Sequence, residues 1–201
     1  MLSQDEQKPE KKLTKKQSLA LYLHDIVYLL CAMMVVLLLV FRVVVVSGTS
    51  MNMTLLDGDY LLLLSNTIYH EPRAGDIIVV SKDSFDDGAA FVKRVIATEG
   101  QTVDIDFETG TVRVDGVVLE EDYINAPTTV SGGVKFPLTV EQGCVFAMGD
   151  NRGISKDSRY PDIGQIDTRE ILGKAIFLMI PGTNDFRNPQ ERDFSRIGAI
   201  E

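Results

Sequence analysis

The sequence predicts a mainly β domain behind a single N-terminal membrane-spanning helix. Three observations lead there. Ile26–Val46 ("IVYLLCAMMVVLLLVFRVVVV") is a 21-residue apolar run whose one charge is Arg42. Beyond it the chain breaks into short β-branched or aliphatic runs bounded by Gly, Pro, Asp and Asn, the punctuation of strands and turns. Outside the run no long amphipathic helical period is found, apart from one turn's worth of pattern near 168–172.

Taken in order, residues 1–24 form a basic leader, with Lys8, Lys11, Lys12, Lys15 and Lys16 against Asp5, Glu6 and Glu10. Residues 25–46 are long enough to cross a hydrocarbon core of about 30 Å, which takes about 20 helical residues. Arg42 lies near the end of the run, where a long side chain can snorkel to the interface. Lysines before the run and none close after it place the N-terminus in the cytoplasm and residues 47–201 outside the cell membrane. A cleaved signal peptide has a shorter apolar core and an earlier exit, and a run of this length apolar on every face fits a membrane span better than a helix of a small soluble domain.

The expected strands are "DYLLLL" (59–64), "DIIVVS" (76–81), "AAFVKRVIATEG" (89–100), "QTVDID" (101–106), "TVRVDGVVL" (111–119), "GCVFAMGD" (143–150) and "GKAIFLMI" (173–180). "ETGTVRVDG" reads as a hairpin turning at Thr109-Gly110. Residues about 104–142 form an excursion, a small cap inserted between two core strands. The polar tail from Pro181 is expected to be loosely ordered.

Composition narrows function. From residue 47 onward there are 14 basic and 25 acidic residues, which gives no electrostatic footprint for nucleic acid. Cys31 falls in the anchor and Cys144 in an expected buried strand, so no disulfide is expected. No Cys/His cluster has metal-ligand spacing, and the chemistry below needs no cofactor.

Immediately after the anchor comes "SGTSMNMTLLDGD", a turn of small residues around Ser50. A Ser-His-Asp hydrolase needs an imidazole beside its nucleophile. The two histidines are His24, on the leader side, and His70, in the loop "NTIYHEPRAGD", where a solvated residue is the simpler reading. A nucleophilic serine here must give its proton to another group. In "AAFVKRVIAT" the strand period sets Phe91, Lys93 and Val95 on one face and Val92, Arg94 and Ile96 on the other. Desolvation disfavours an ammonium, so a lysine on an apolar face becomes a base. The competing reading is an exposed strand charge, which must hold for at least one of Lys93 and Arg94. A third stretch, "GDNRGISKDSRYPDIG", packs charges directly after an apolar strand; it is either a solvated turn held by Asp/Arg pairs or the edge of a site.

Together, "SGTSMNMTLLDGDYLLL", "GDIIVV", "FVKRVIATEGQTVDI" and "GDNRGISKDSR" resemble, in order, the ectodomain boxes of bacterial type I signal peptidases, in the short single-anchor form typical of Gram-positive bacteria. The resemblance implies a β-rich core shared with the self-cleaving repressor proteases and carrying the inserted cap. It implies Ser50 as nucleophile and Lys93 as general base, with Ser155 hydrogen-bonding the lysine amine. Asp157 and Arg159 would brace the loop that Gly149, Asp150, Asn151 and Arg152 open. Met51, Leu55, Phe91 and Val92 are implied to line the substrate pockets, with core packing as the competing role.

Two departures stand out. Met53 occupies a position where the family usually has proline. Gly48 occupies one where some members place an oxyanion-hole serine, so the Ser50 amide is expected to do more of the work, assisted by the Gly48 backbone or water. The implied activity is removal of signal peptides from exported preproteins at the outer face of the bilayer, with lipid and the secretion translocon as further partners. The substrate would be an extended strand with small residues at −1 and −3. A dedicated or self-cleaving Ser/Lys protease of related fold, and a non-catalytic membrane-tethered β module, are the rival readings.

Overall fold

The computed structural model describes residues 14–82, 85, 88–183 and 192–200. The chain divides into two compact units, residues 1–38 and 39–201. In the first, helix α1 (Lys15–Val40) is 26 residues long, buries no side chain, and is long and apolar enough to cross a membrane. The leader residues 1–13 lie outside the described residues.

The sequence carries the anchor on to residue 46, but α1 stops at Val40 and Phe41–Val45 forms strand β1. The cause is a partner in sequence-distant chain. β1 pairs antiparallel with β2 (Tyr60–Ser65), from Phe41 opposite Leu64 to Val45 opposite Tyr60. An apolar run cannot by itself say whether it is helix or strand, and here the ladder decides. Arg42 therefore sits on a strand, where its guanidinium donates to Asn66 Oδ1 at 3.3 Å.

The main sheet also contains β3 (Ile77–Ser81), β4 (Ala90–Thr98), β9 (Cys144–Met148), β10 (Ile166–Asp167), β11 (Ile171–Ile180) and β12 (Gly198–Ala199). Its order is β1-β2-β11-β3-β4-β9-β10, with β12 alongside β11. Three apolar clusters cover its faces. One joins Val46, Met51, Leu55, Leu61, Leu63, Ile77 and Val92; another joins Ile78, Val80, Val95, Val145, Ile163 and Ile166. The third binds Ile96, Phe146 and Met148 to the cap residues Val103, Ile105 and Val112.

That cap is a second sheet, β7-β6-β5-β8, built from β5 (Thr102–Asp106), β6 (Thr111–Val114), β7 (Val117–Val118) and β8 (Leu138–Thr139). β5 and β6 form the hairpin expected around Thr109-Gly110. The cap departs and returns between β4 and β9, which pair directly with each other, Arg94 opposite Met148. Cys144 opens β9 and is only half-buried.

The tail is better ordered than its composition suggests. Residues 184–191 lie outside the described residues, but Pro181–Thr183 are buried and residues 192–200 return to the sheet, where Ala199 pairs with Phe177. An ion pair draws them back. Asp59, fully buried, accepts from Arg196 Nη2 at 2.8 Å and Nη1 at 3.0 Å, and from the amides of Leu56 and Gly182. Removing one partner of such a pair strands a buried charge. Arg196→Ala is accordingly expected to destabilise the domain by on the order of 3 kcal/mol, a loss that thermal unfolding would register; an unchanged melting temperature would contradict it.

Candidate active site

The turn between β1 and β2 carries Ser50. Backbone bonds from Val46 N to Asp59 O (2.8 Å) and Gly58 N to Val46 O (2.9 Å) close its base. Gly48 adopts φ +90°, a left-handed conformation that disfavours any side chain. Its amide donates to Asp57 Oδ1 at 2.7 Å, so it is not available to an oxyanion, against the sequence expectation that it assists Ser50. No acceptor among the described residues takes the Ser50 amide hydrogen, which leaves that donor for a substrate oxygen. From the opposite side, the Asn151 amide donates to Ser50 O at 3.0 Å and Asn151 Nδ2 to Thr49 O at 3.0 Å. Thr54 Oγ1 donates to Asp150 Oδ2 at 2.5 Å.

Lys93 lies on β4 with 3% of its surface exposed, and its Nζ is 2.9 Å from Ser50 Oγ. The amine also donates to the Val92 carbonyl at 2.8 Å. Arg94, next along the strand, is equally buried. The expectation that at least one of the two is an exposed strand charge therefore fails. β4 is an interior strand with both faces covered, and each cation has its own partner. Arg94 Nε and Nη2 grip Asp150 Oδ1 and Oδ2 at 3.0 and 2.9 Å, and its Nη1 donates to Gly75 O. The two-residue alternation itself breaks at a bulge between Val95 and Ala97.

Burial drives the electrostatics. Desolvation lowers the Lys93 pKa to about 8, opposed by the Asp157 and Asp150 carboxylates and assisted by the Arg159 cation. Those acids do not touch the amine; they are committed to arginines. Asp157 Oδ1 and Oδ2 accept from Arg159 Nε and Nη2 at 2.8 and 2.9 Å, with both residues fully buried, and Asp157 also takes the Gly149 amide. Arg152 is fully buried too. Its Nη1 and Nη2 hold Glu121 at 3.1 and 2.5 Å, and Nη1 reaches Thr128 Oγ1 at 2.6 Å. The Asp/Arg brace expected of this loop is present, interior rather than solvated.

Ser155 departs from its expected role. It is buried, yet its Oγ has no hydrogen-bond partner, and the Lys93 amine turns instead to Ser50 and the Val92 carbonyl. A Cβ on Gly149 would collide with that hydroxyl and with Ser50 O, so glycine is what lets this loop press against Ser50. Of the four pocket candidates, Met51, Leu55 and Val92 are buried together in one apolar cluster, while Phe91 packs on the other face against Phe85, ring centroids 5.2 Å apart.

Sequence reasoning missed the cap's part in the site. Glu121 and Thr128 seat Arg152, and the Tyr123 ring lies under the Arg94 guanidinium at 4.1 Å. It also missed Asp59 and Arg196, whose Nη2 donates to Thr54 O in the turn that carries Ser50. The signal available was a run of polar residues, "EEDYINAPTT", where a solvated excursion would also be polar.

A serine hydroxyl against a desolvated amine, with no imidazole among their hydrogen-bond partners, is the equipment of a serine hydrolase that works without histidine. Residues 19–180 match the family described as Signal peptidase, peptidase S26. Signal peptidase I of Bacillus licheniformis is 32% identical over 180 residues, covering 86% of this chain and 94% of its own. A probable signal peptidase I-1 of Synechocystis is 37% identical over 169 residues, covering 79% and 83%. A crystal structure of a signal peptidase I from Enterococcus faecalis, 31% identical, overlaps 52% of this chain and 96% of its own at a TM-score of 0.42, an overlay too loose to bear on the fold. The chain belongs to the signal peptidase, peptidase S26, family.

The depressed amine has two measurable consequences. Activity should climb with pH through a midpoint near 8 and level off above it, because only the neutral amine accepts a proton; a flat kcat/KM profile from pH 6 to 10 would contradict this. Stability carries the opposite face of the same cost. The folded pKa lies below the ordinary 10.5, so between about pH 8 and 10.5 the unfolded chain holds a proton that the folded chain lacks, and stability rises with pH there. Lys93→Met should therefore be inactive yet more stable at pH 7, by on the order of 1–3 kcal/mol, with the gain shrinking as pH rises; denaturant titrations at pH 7 and 10 test both signs.

Proposed function

We propose that this chain is the membrane-anchored serine endopeptidase that removes signal peptides from exported preproteins, with Ser50 as nucleophile and Lys93 as general base. The observation that carries the assignment of roles is the 2.9 Å approach of the buried Lys93 amine to Ser50 Oγ, in a chain of this family. Ser50 Oγ attacks the scissile carbonyl carbon as its proton passes to the neutral Lys93 Nζ. The developing oxyanion meets the free Ser50 amide. The new ammonium, favoured for that moment by the Asp157 and Asp150 charges, returns its proton to the departing amine. A water deprotonated by Lys93 then hydrolyses the acyl-enzyme.

The sheet supports an extended substrate. Ala90, Phe91 and Val92 pair with β3 on one side, whereas the β4–β9 ladder begins only at Arg94. Among the described residues the other edge of 90–92 is unpaired, and a peptide can add to it as a strand. Met51, Leu55 and Val92 would form the apolar floor beneath small side chains.

The reading extends to location. With lysines before α1, the N-terminus lies in the cytoplasm and residues 47–201 outside the cell membrane. Val43, Val45, Tyr60, Phe177, Met179 and Ile180 are exposed apolar residues of β1, β2 and β11, a surface suited to the lipid interface, and the translocon would deliver substrates there.

Ser50→Ala and, separately, Lys93→Met should each abolish cleavage of a preprotein without lowering the melting temperature; near-normal turnover in either would refute the pair. The same assay on several unrelated preproteins, with the new N-termini sequenced, separates a general processing enzyme from one serving a single client.

A further inference from the structure

The cap's return leg, residues 121–134, touches the loop 149–159 at several points. Most of these ties are interior: Glu121 and Thr128 on Arg152, the Tyr123 ring on Arg94, and the Val130 carbonyl accepting from Arg159 Nη1 at 2.9 Å. Gly132 lies against the Arg159 backbone so closely that a Cβ there would strike its carbonyl. Such contacts hold the cap on.

One tie is different in kind. Asn125 is solvent-exposed, makes no part of either core, and donates its Nδ2 hydrogen to Asn151 Oδ1 at 2.8 Å. Asn151 is 5% exposed and stands between the cap and the nucleophile turn, with its Nδ2 on Thr49 O and its backbone amide on Ser50 O. A carboxamide has a donor end and an acceptor end of nearly equal size. The Thr49 carbonyl can only accept, so it takes the nitrogen end, and the oxygen end then needs a donor on the other side. Asn125 Nδ2 supplies that donor, so the Asn151 carboxamide is held at both ends. Turned the other way, Asn151 would set its oxygen against a carbonyl oxygen one residue before the nucleophile.

We propose that Asn125 is a positioning residue for the cleavage reaction: from the inserted cap, it fixes the amide of Asn151 and through it the turn that aims Ser50 Oγ. This rests on Ser50 being the nucleophile. The cap thereby acts on rate and not only on fold. A misplacement of about 1 Å at the reacting atoms can cost roughly 10²-fold, and loss of a single exposed tie should cost less than that.

The test is steady-state cleavage of a preprotein by the full chain in detergent micelles, comparing wild type, Asn125→Ala, Asn125→Asp, Asn151→Ala and the Asn125→Ala/Asn151→Ala double variant, with Ser50→Ala as control. Asn125→Ala is expected to lower kcat about tenfold with KM within about twofold and an unchanged melting temperature, since the residue is exposed. Asn125→Asp, which replaces the donor by an acceptor, should lose more, and the loss should persist on the alkaline plateau where Lys93 is neutral. The double variant should be no slower than Asn151→Ala alone, because the two act in series. Additive losses, a wild-type kcat in Asn125→Ala, a change confined to KM, or a loss that follows the melting temperature would each overturn the proposal. Cleavage by Ser50→Ala would instead remove the nucleophile assignment on which it stands.

Discussion

The site depends on keeping an amine dry. As the proposed general base, Lys93 works only because water is excluded from it, and excluding water from an ammonium opposes folding. Everything near it handles that conflict. β4 lies inside the sheet and its two faces are covered by separate apolar clusters, so only 3% of Lys93 meets solvent. Its polar contacts within the protein are the Ser50 hydroxyl and the neighbouring Val92 carbonyl, both neutral. A carboxylate in direct contact would restore the positive charge and remove the base.

That requirement explains the arginines. Asp150 and Asp157 are fully buried and close enough to raise the Lys93 pKa, yet each is gripped in a bidentate pair, by Arg94 and Arg159 respectively. Held this way their charges are neutralised at short range and still favour an ammonium formed transiently. Arg152, paired with Glu121 of the cap, completes a ring of interior guanidinium–carboxylate pairs around the loop. Such pairs contribute little net stability, but they fix geometry, because a guanidinium fork admits few orientations.

Part of this was legible in the sequence. The boxes around Ser50, Lys93 and Asp150–Arg159 were visible as short contiguous stretches that resemble those of a known family, whereas the residues by themselves left Lys93 and the loop open between two readings. Seven strands were visible through β-branched runs and turn residues. What stayed hidden was set by distant chain. Whether Phe41–Val45 continues the helix depends on Tyr60–Ser65; whether Arg94 is buried depends on Asp150 and Tyr123. The availability of the Gly48 amide depends on Asp57, and the order of the tail depends on Asp59. Ser155 shows the reverse limit, since a position can match a motif while its hydroxyl lies in the structure without a partner.

The Asp59–Arg196 pair has a temporal side. Its members are separated by 137 residues, and the acidic partner sits at the base of the turn that carries Ser50. During synthesis Ser50 and Asp59 are made first, and the guanidinium that pairs with Asp59 follows 137 residues after it. The support of that turn is therefore completed only after strands β1 to β11 have been synthesised. A nascent chain carries Ser50 long before it carries the clasp that steadies the turn around it.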